Sequence, residues 1–289
     1  MTTFTTVERA RAGYPPLLAQ LHDPPRRLYL RGRRTHILRE TAVALVGARS
    51  CSPYGAQIAR ALARELAAAG LVVVSGLARG IDAEAHRGAL DADGATIAVL
   101  GCGIDVDYPR RHAELVRRIV DRGLVVSEYP PGTEPAPWRF PARNRIIAGL
   151  CAATVVVEAR ARSGALITAD LALELGRDVF AVPGEITASL SVGTNGLIRQ
   201  GAAPLLSAED VFVALGVEAK PAASAAPVSD VAAAVARLLA DGPRPIDELV
   251  RAADRPAAEV AAALVELELA GLAHEADGVY RPAAAWTGR

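Results

Sequence analysis

Glycine-punctuated turns recur where short apolar runs of the sequence end, and their residue types suit the binding of anions. They occupy Gly47–Arg49, Ser75–Asp82, Gly101–Gly103 and Ser163–Thr168. Glycine lets the backbone approach a ligand closely, and a helix that starts after such a turn offers free N–H groups and a positive dipole end. One such turn is common in α/β proteins. A row of such turns along one edge of a sheet favours the binding of a polymer that carries many phosphates.

The longest of the segments between apolar runs carries arginines interleaved with aromatic residues. It extends from Glu128 to Arg145, is stiffened by prolines, and is predicted to be a loop that follows a strand. Aromatic rings that stack on bases, with cations that follow the backbone, hold single strands without sequence preference. We expect Phe140 to contact DNA in this way, and Trp138 to fill a gap between the loop and the sheet.

Two features resemble catalytic groups. Asp82 and His86 are four residues apart at a predicted helix start, where they share a face. No third ligand has suitable spacing, so we expect Asp82 to cap the helix and His86 to make a structural hydrogen bond. Cys51 lies in an anion-binding turn, but no histidine partner is evident. The sequence therefore predicts no catalytic residue, no metal site and no cofactor.

Six apolar runs rich in β-branched residues define the elements that must position these turns. They are Ala42–Val46, Leu71–Ser75, Thr96–Leu100, Leu124–Ser127, Thr154–Val157 and Asp178–Val182. Runs of four to six such residues that alternate with amphipathic stretches are typical of buried parallel strands connected by helices. The fold class predicted is α/β, an extended Rossmann-like parallel sheet with helices on both faces. Its ligand edge lies beyond the carboxyl ends of the strands.

The chain divides into four predicted segments. Residues 1–40 form a short extension with an edge strand at Leu28–Leu30, residues 41–217 the Rossmann-like domain, and residues 218–229 a linker. Residues 230–289 contain three helical patterns and a hairpin at Asp277-Gly278, which is the outline of a winged helix. Its third helix, Pro256–Leu269, carries glutamates but no arginine or lysine, so we expect an auxiliary or protein-binding role and no duplex binding.

Composition limits the class of protein. The formal net charge is zero, so any anion site must arise from local asymmetry of charge. Cys51, Cys102 and Cys151 form no CxxC pair, which indicates neither a disulfide framework nor a zinc site. The sequence has no apolar leader and no long apolar run, so we expect a cytoplasmic protein without membrane contact.

Five ordered motifs between Tyr14 and Ala203 resemble the DNA-processing protein A family (DprA, also called Smf). These motifs are Val46–Arg49, Ser75–Asp82, Phe140–Gly149, Ser163–Ala169 and Val182–Gly184. The resemblance implies sequence-independent binding of single-stranded DNA, loading of RecA recombinase onto it in natural transformation and homologous recombination, and a homodimer. It places the family's phosphate turn on Gly47 to Arg49, with Ala48 in place of the usual small hydroxyl residue. Many members carry a helical domain before the Rossmann-like domain, and from the few residues that precede it in this sequence we expect no such domain here.

The residue types and the family resemblance together predict one interface. The residues predicted to contact DNA are Gly47, Arg49, Ser75, Gly76, Arg79, Gly80, Arg139, Phe140, Arg143, Asn144, Arg145, Ser163, Gly164 and Thr168. Arg143 and Arg145 would clamp the strand while Phe140 stacks on a base. The alternatives are a nucleotide-processing enzyme on the same fold, and a regulator that reads duplex DNA through the C-terminal module.

Overall fold

The computed structural model describes residues 4–218 and 228–282, and the chain divides into two compact units, Met1–Lys220 and Pro221–Arg289. Residues 219–227, which hold most of the predicted linker, lie outside the described residues. Within residues 4–218, nine strands form one sheet. They are β1 (Thr5–Glu8), β2 (Arg27–Arg31), β3 (Ala42–Val46), β4 (Val72–Ser75), β5 (Thr96–Val99), β6 (Leu124–Ser127), β7 (Ala153–Val156), β8 (Asp178–Ala181) and β9 (Ala203–Pro204).

The sheet has the strand order β1-β2-β6-β5-β4-β3-β7-β8-β9. All pairs from β6 to β9 are parallel, whereas β2 pairs antiparallel with both β1 and β6. The chain order runs outward from β3 to β6 on one side and continues with β7 on the other. The boundary between β3 and β7 is therefore the topological switch point, where open α/β sheets bind their ligands.

Seven α-helices of this unit cover both faces of the sheet, counted over residues 4–218. They are α1 (Pro53–Ala68), α2 (Ile81–Asp91), α3 (Ala113–Arg122), α4 (Arg139–Leu150), α5 (Gly164–Glu174), α6 (Val192–Arg199) and α7 (Ala208–Leu215). Apolar residues of α4 and α5 share a core with alternate residues of the central strands, such as Val46 and Val74. The intervening residues, such as Leu45 and Val73, pack against α1, α2 and α7. The predicted fold class is thus confirmed.

The predicted strands agree with the observed ones to within one residue at each end, but two predictions about the sequence flanking them are wrong. Leu28–Leu30 is not an edge strand, because β1 pairs outside β2. Phe140–Arg145 is not a loop, because it belongs to α4. Pro141 occupies the first turn of α4, where the missing N–H costs no helical hydrogen bond, so the proline does not interrupt the helix.

The second unit has the element order of a winged helix. Its described elements are α8 (Asp230–Ala240), β10 (Arg244–Pro245), α9 (Ile246–Ala253), α10 (Ala257–Leu269), β11 (Ala273–Ala276) and β12 (Val279–Pro282). The predicted hairpin joins β11 and β12, and Asp277 and Gly278 both have positive φ, as a two-residue hairpin turn requires. Leu249 and Leu264 are in its apolar core. Two-residue β10 was not predicted, since so short a strand has no periodicity.

None of the helices within residues 4–218 and 228–282 is both long enough and apolar enough to cross a bilayer.

Candidate nucleic-acid interface

A cavity of about 210 Å³ lies at the switch point of the sheet, beyond the ends of β3 and β7. Eight of the residues predicted to contact DNA line it: Gly47, Arg49, Phe140, Arg143, Asn144, Ser163, Gly164 and Thr168. The other six predicted residues, Ser75, Gly76, Arg79, Gly80, Arg139 and Arg145, are not among its lining residues. Ala78 and Asp82 also line the cavity, so the structure brings together residues from four of the five predicted motifs, which come from separate parts of the sequence.

The β3–α1 turn is held by its neighbours rather than by its own side chains. The Ala48 N–H donates to the carbonyl oxygen of Glu158 at 2.8 Å, and the Ala48 carbonyl accepts from the Ile81 N–H at 3.2 Å. A Cβ on Gly47 would lie 2.6 Å from Cγ1 of Ile81, so only glycine fits there. The N–H of Arg49 makes no hydrogen bond within residues 4–218 and remains available to an anion.

The β4–α2 turn is folded around the carboxylate of Asp82. Its Oδ2 accepts hydrogen bonds from the N–H groups of Gly76 at 3.1 Å and Ala78 at 3.3 Å. Gly80, at φ +72°, precedes α2 as its cap, and Asp82 does not cap the helix, so that expectation was wrong. Burial raises the pKa of Asp82, an effect opposed chiefly by the nearby Arg143. The carboxylate therefore organises this turn.

Ser75 and Gly76 have their polar groups engaged inside the protein. The buried Ser75 hydroxyl donates to the Leu45 carbonyl at 2.6 Å, and the Gly76 N–H is bonded to Asp82. A side chain on Gly80 would collide with the carbonyl oxygen of Ala48. Arg79, in contrast, is exposed. Of these four predicted residues, only Arg79 presents a charge to solvent.

Arg143 is an interior residue, only 4% exposed, and not a surface clamp. Its guanidinium donates to the carbonyl oxygen of Gly76 at 2.8 Å and also to that of Val99. Burial lowers its pKa to about 10, while the carboxylate of Asp82 opposes this effect. Arg143 thus joins the ends of β4 and β5 and forms part of the cavity wall.

Phe140 is the centre of an aromatic and cationic stack. Its ring packs against Tyr108 with a centroid distance of 5.4 Å and an interplanar angle of 28°. The Arg49 guanidinium carbon lies 5.5 Å from the Phe140 ring centroid. A Cβ on Gly101 would approach the same ring to 2.9 Å. Tyr108 is a residue that the sequence analysis missed, and its position after the third glycine turn was the available signal.

The start of α5 supplies polar groups from the β7 side of the cavity. The Ser163 hydroxyl accepts a hydrogen bond from the Ala165 N–H, which caps the helix. The N–H of Gly164 and the hydroxyl of Thr168 make no hydrogen bond with any described residue. The Asn144 amide donates to the Gly164 carbonyl at 3.0 Å and ties α4 to this turn.

The remaining cations of the predicted interface differ in how their charge is balanced. Arg145 forms an ion pair with Glu128 at 2.6 Å, so most of its charge is neutralised. Arg49, Arg79 and Arg139 have no carboxylate within 4 Å among residues 4–218 and 228–282. Uncompensated arginines at the strand ends create the local asymmetry of charge that a protein of zero net charge needs for an anion site.

The Trp138 side chain is 63% exposed, so it does not fill a gap under the chain, and that expectation was wrong. Arg139 contacts it through a cation–π interaction, with 4.8 Å between the guanidinium carbon and the ring centroid. The same guanidinium lies 5.2 Å from the ring centroid of Tyr129. An exposed Trp138 and a half-buried Arg139 therefore form a pair at the start of α4.

The groups that resembled catalytic ones have structural partners. His86 is buried and its Nδ1 lies 2.7 Å from the Thr96 hydroxyl, which itself donates to the Val73 carbonyl, so the expected structural hydrogen bond is confirmed. Burial raises the pKa of the Cys51 thiol, which is the opposite of the change that activates a cysteine. Within the described ranges, no three His, Cys, Asp or Glu side chains form a group suited to a metal ion.

Both units of the chain match known protein families. Residues 5–216 match the family model of DNA recombination-mediator protein A, and residues 219–278 match that of the DprA winged helix domain. Among curated proteins, the Smf protein of Escherichia coli is 42% identical over 92% of this chain and 74% of its own length. The DNA processing protein DprA of Streptococcus pneumoniae is 48% identical over 69% and 70%, respectively.

Two solved structures share this architecture. The X-ray structure of DprA from Streptococcus pneumoniae aligns with a TM-score of 0.70 and 46% identity, over 73% of this chain and 74% of that chain. The structure of DNA processing protein A from Helicobacter pylori, which addresses its single-stranded-DNA binding mode, aligns with a TM-score of 0.66 and 32% identity. It covers 73% of this chain and 95% of that chain.

Proposed function

Because the chain belongs to the DNA recombination-mediator protein A (DprA/Smf) family, we propose that it binds single-stranded DNA at the switch-point cavity without sequence preference. We propose further that it presents the strand to RecA recombinase in natural transformation and homologous recombination, as a homodimer and without catalysing a reaction. The family relationship supports the RecA step and the homodimer. The geometry of the cavity supports the binding of DNA.

One observation carries the proposal. The cavity joins an unpaired cation, a free backbone N–H and an aromatic ring, supplied by Arg49, Gly164 and Phe140. Cations and N–H groups bind phosphate oxygens, and an aromatic ring stacks on any base. None of these groups is placed to distinguish one base from another, so the arrangement favours binding independent of sequence.

The described residues divide into those that contact DNA and those that position them. We assign phosphate contact to Arg49 and to the start of α5, with Arg79 as a further cation at the rim. The stacked rings of Phe140 and Tyr108 provide the aromatic surface. Arg143 and Asn144 act on the cavity from inside, because their hydrogen bonds fix the turns around it. Arg145 contributes little net charge, because Glu128 neutralises it.

The C-terminal unit adds no cationic surface on its third helix. Helix α10 carries Glu259, Glu266 and Glu268 and contains no lysine or arginine. Duplex recognition through such a helix would place carboxylates against phosphates, which is unfavourable. We therefore propose that this unit has an auxiliary or protein-binding role.

The test is fluorescence anisotropy with labelled oligo-dT and with a duplex, using the intact protein and the Arg49→Ala variant. Arg49 is the better choice than Arg143, because its side chain is exposed and holds no buried carbonyl. Tight binding of the single strand that weakens in Arg49→Ala supports the proposal.

A control for this test is Arg199→Ala. Arg199 is an exposed arginine at the last residue of α6, far along that helix from the strand ends. Its removal subtracts the same charge and should leave affinity nearly unchanged. Equal or tighter binding of the duplex, unaffected by Arg49→Ala, would refute the assignment of the cavity.

A further inference from the structure

We propose that Trp138 and Arg139 form a second base-stacking station, separate from the cavity, on which a later base of the bound strand lies. The inference rests on the proposed function, since it assumes that a single strand occupies the cavity. Trp138 was predicted to pack against the sheet, and Arg139 was predicted to contact DNA without a stated role, so the stacking role is new for both.

The exposure of Trp138 is the first observation. Leaving 63% of an indole in water gives up much of the hydrophobic stabilisation that its burial would provide. Arg139 contacts the ring at 4.8 Å from its centroid, and most of the Trp138 surface remains open to solvent. A flat apolar face beside a cation has the chemistry that holds a nucleobase next to its phosphate.

Arg139 is fixed in place before any ligand arrives. Its guanidinium donates a hydrogen bond to the Glu134 carbonyl oxygen. It also contacts the rings of Tyr129 and Trp138, at 5.2 Å and 4.8 Å from their centroids. Its Nε is buried and has no hydrogen-bond partner among the described residues. No carboxylate lies within 4 Å of it in the part of the chain that the structure describes. These contacts hold the guanidinium in position before DNA binds, and no neighbouring carboxylate neutralises it.

The position of the pair makes it continuous with the cavity. Trp138 immediately precedes α4, whose first turn carries Phe140, and the Arg139 carbonyl oxygen lies near Gly101 at the end of β5. Tyr129 follows β6 in the chain. Trp138 is two residues from Phe140, which lines the cavity, so a strand whose base stacks on Phe140 can place a neighbouring nucleotide at Trp138.

Tryptophan fluorescence gives a direct test. The sequence contains two tryptophans, Trp138 and Trp286, so Trp286→Phe leaves Trp138 as the sole indole emitter. Titration of this variant with oligo-dT of increasing length should quench the emission once the oligonucleotide is long enough to span from the cavity to Trp138. The quenching and the anisotropy should reach half of their full change at the same concentration when both are measured with the same oligonucleotide.

Substitution of the ring gives the energetic test. Trp138→Ala should weaken the binding of a long oligo-dT about 5- to 150-fold, the range expected for one stacked base, and Trp138→Phe should restore most of it. A long oligonucleotide with abasic sites keeps its phosphates but has no bases to stack, so Trp138→Ala should change its affinity little. Leu173→Ala, an exposed apolar residue near the far end of α5, is the matched control and should bind as the intact protein does.

The outcomes separate this inference from the proposed function. If Phe140→Ala weakens binding but Trp138 emission is unchanged and Trp138→Ala binds normally, the second station is refuted and the cavity assignment stands. If the intact protein binds no single strand, both are refuted. If Trp138→Ala weakens the abasic oligonucleotide as much as oligo-dT, Trp138 only positions Arg139 and the stacking role is refuted.

Discussion

The carboxylate of Glu158, after β7, accepts hydrogen bonds from both the backbone N–H and the hydroxyl of Ser52, the residue that caps α1. The N–H bond is 2.9 Å long, and the two residues are 106 positions apart in the sequence. A protein carboxylate therefore occupies the helix N-terminus where a Rossmann-like fold often binds phosphate. We therefore expect phosphate to bind at the turn before α1 and at the start of α5, and not at the N-terminus of α1 itself.

Glu158→Gln should destabilise the first unit by about 1–3 kcal/mol, because an amide N–H₂ replaces one of the two acceptor oxygens that Ser52 needs. Urea unfolding followed by circular dichroism measures this change. The matched control is Glu65→Gln on α1. Burial raises the pKa of the Glu65 carboxyl, so folding does not stabilise its charged form and the loss of that charge should cost little. A loss in Glu65→Gln as large as that in Glu158→Gln would contradict the assignment.

Arg143→Ala should lower the free energy of unfolding by about 3–5 kcal/mol, since it leaves the Gly76 and Val99 carbonyls and the buried Asp82 carboxylate uncompensated. Arg49→Ala should change stability by less than about 0.5 kcal/mol and reduce DNA affinity instead. Thermal melts and anisotropy on both variants separate the two effects. Normal stability of Arg143→Ala would show that its interior contacts are unimportant.

The salt dependence of binding should report the number of phosphate contacts. With three to five contacts, affinity for oligo-dT should fall about 20- to 120-fold between about 50 and 200 mM salt, from a slope of about −0.7 per contact. Arg49→Ala should reduce that slope by about 0.7. A flat response to salt in the intact protein would argue against the phosphate site as a whole.

Acid should destabilise the fold through His86. Burial lowers its pKa in the native state to about 3, whereas the unfolded chain takes up the proton near the ordinary value of 6.5. The unfolded state binds more protons between these values, so stability present at neutral pH is lost as the pH falls through this window. By about pH 5 the loss is on the order of 2 kcal/mol.

The His86→Leu variant has no group that titrates at this position, and the Thr96 hydroxyl can still donate its hydrogen bond to the Val73 carbonyl. The difference in melting temperature between the intact protein and His86→Leu should shrink or reverse as the pH is lowered from about 7 to 5. A difference independent of pH would mean that His86 does not titrate in this way.

The sequence predicted the strands well because their apolar runs have one physical explanation, burial on both faces of a sheet. Eight of the contact candidates line one cavity, because strand ends and glycine turns mark the ligand edge of such a sheet. Their roles in binding DNA stay predictions until the variants above are measured.

The errors have a common cause. Hydropathy treats Arg143 and Asn144 as exposed, yet both are buried because carbonyl oxygens of distant turns accept their hydrogen bonds. Trp138 was predicted to be packed, since size and hydropathy favour burial, but it extends into solvent. Partners that are distant in the sequence decide both cases, and local patterns do not contain them.

The contact between the β3–α1 and β4–α2 turns has a kinetic consequence. Gly47 abuts Ile81, and Gly80 abuts the Ala48 carbonyl, so neither turn can shift without the other. The entropy cost of ordering these two turns is therefore part of folding, and DNA binding does not have to meet it. We expect association close to the rate set by diffusion and charge, with substitutions in these turns acting mainly on how long the strand stays bound.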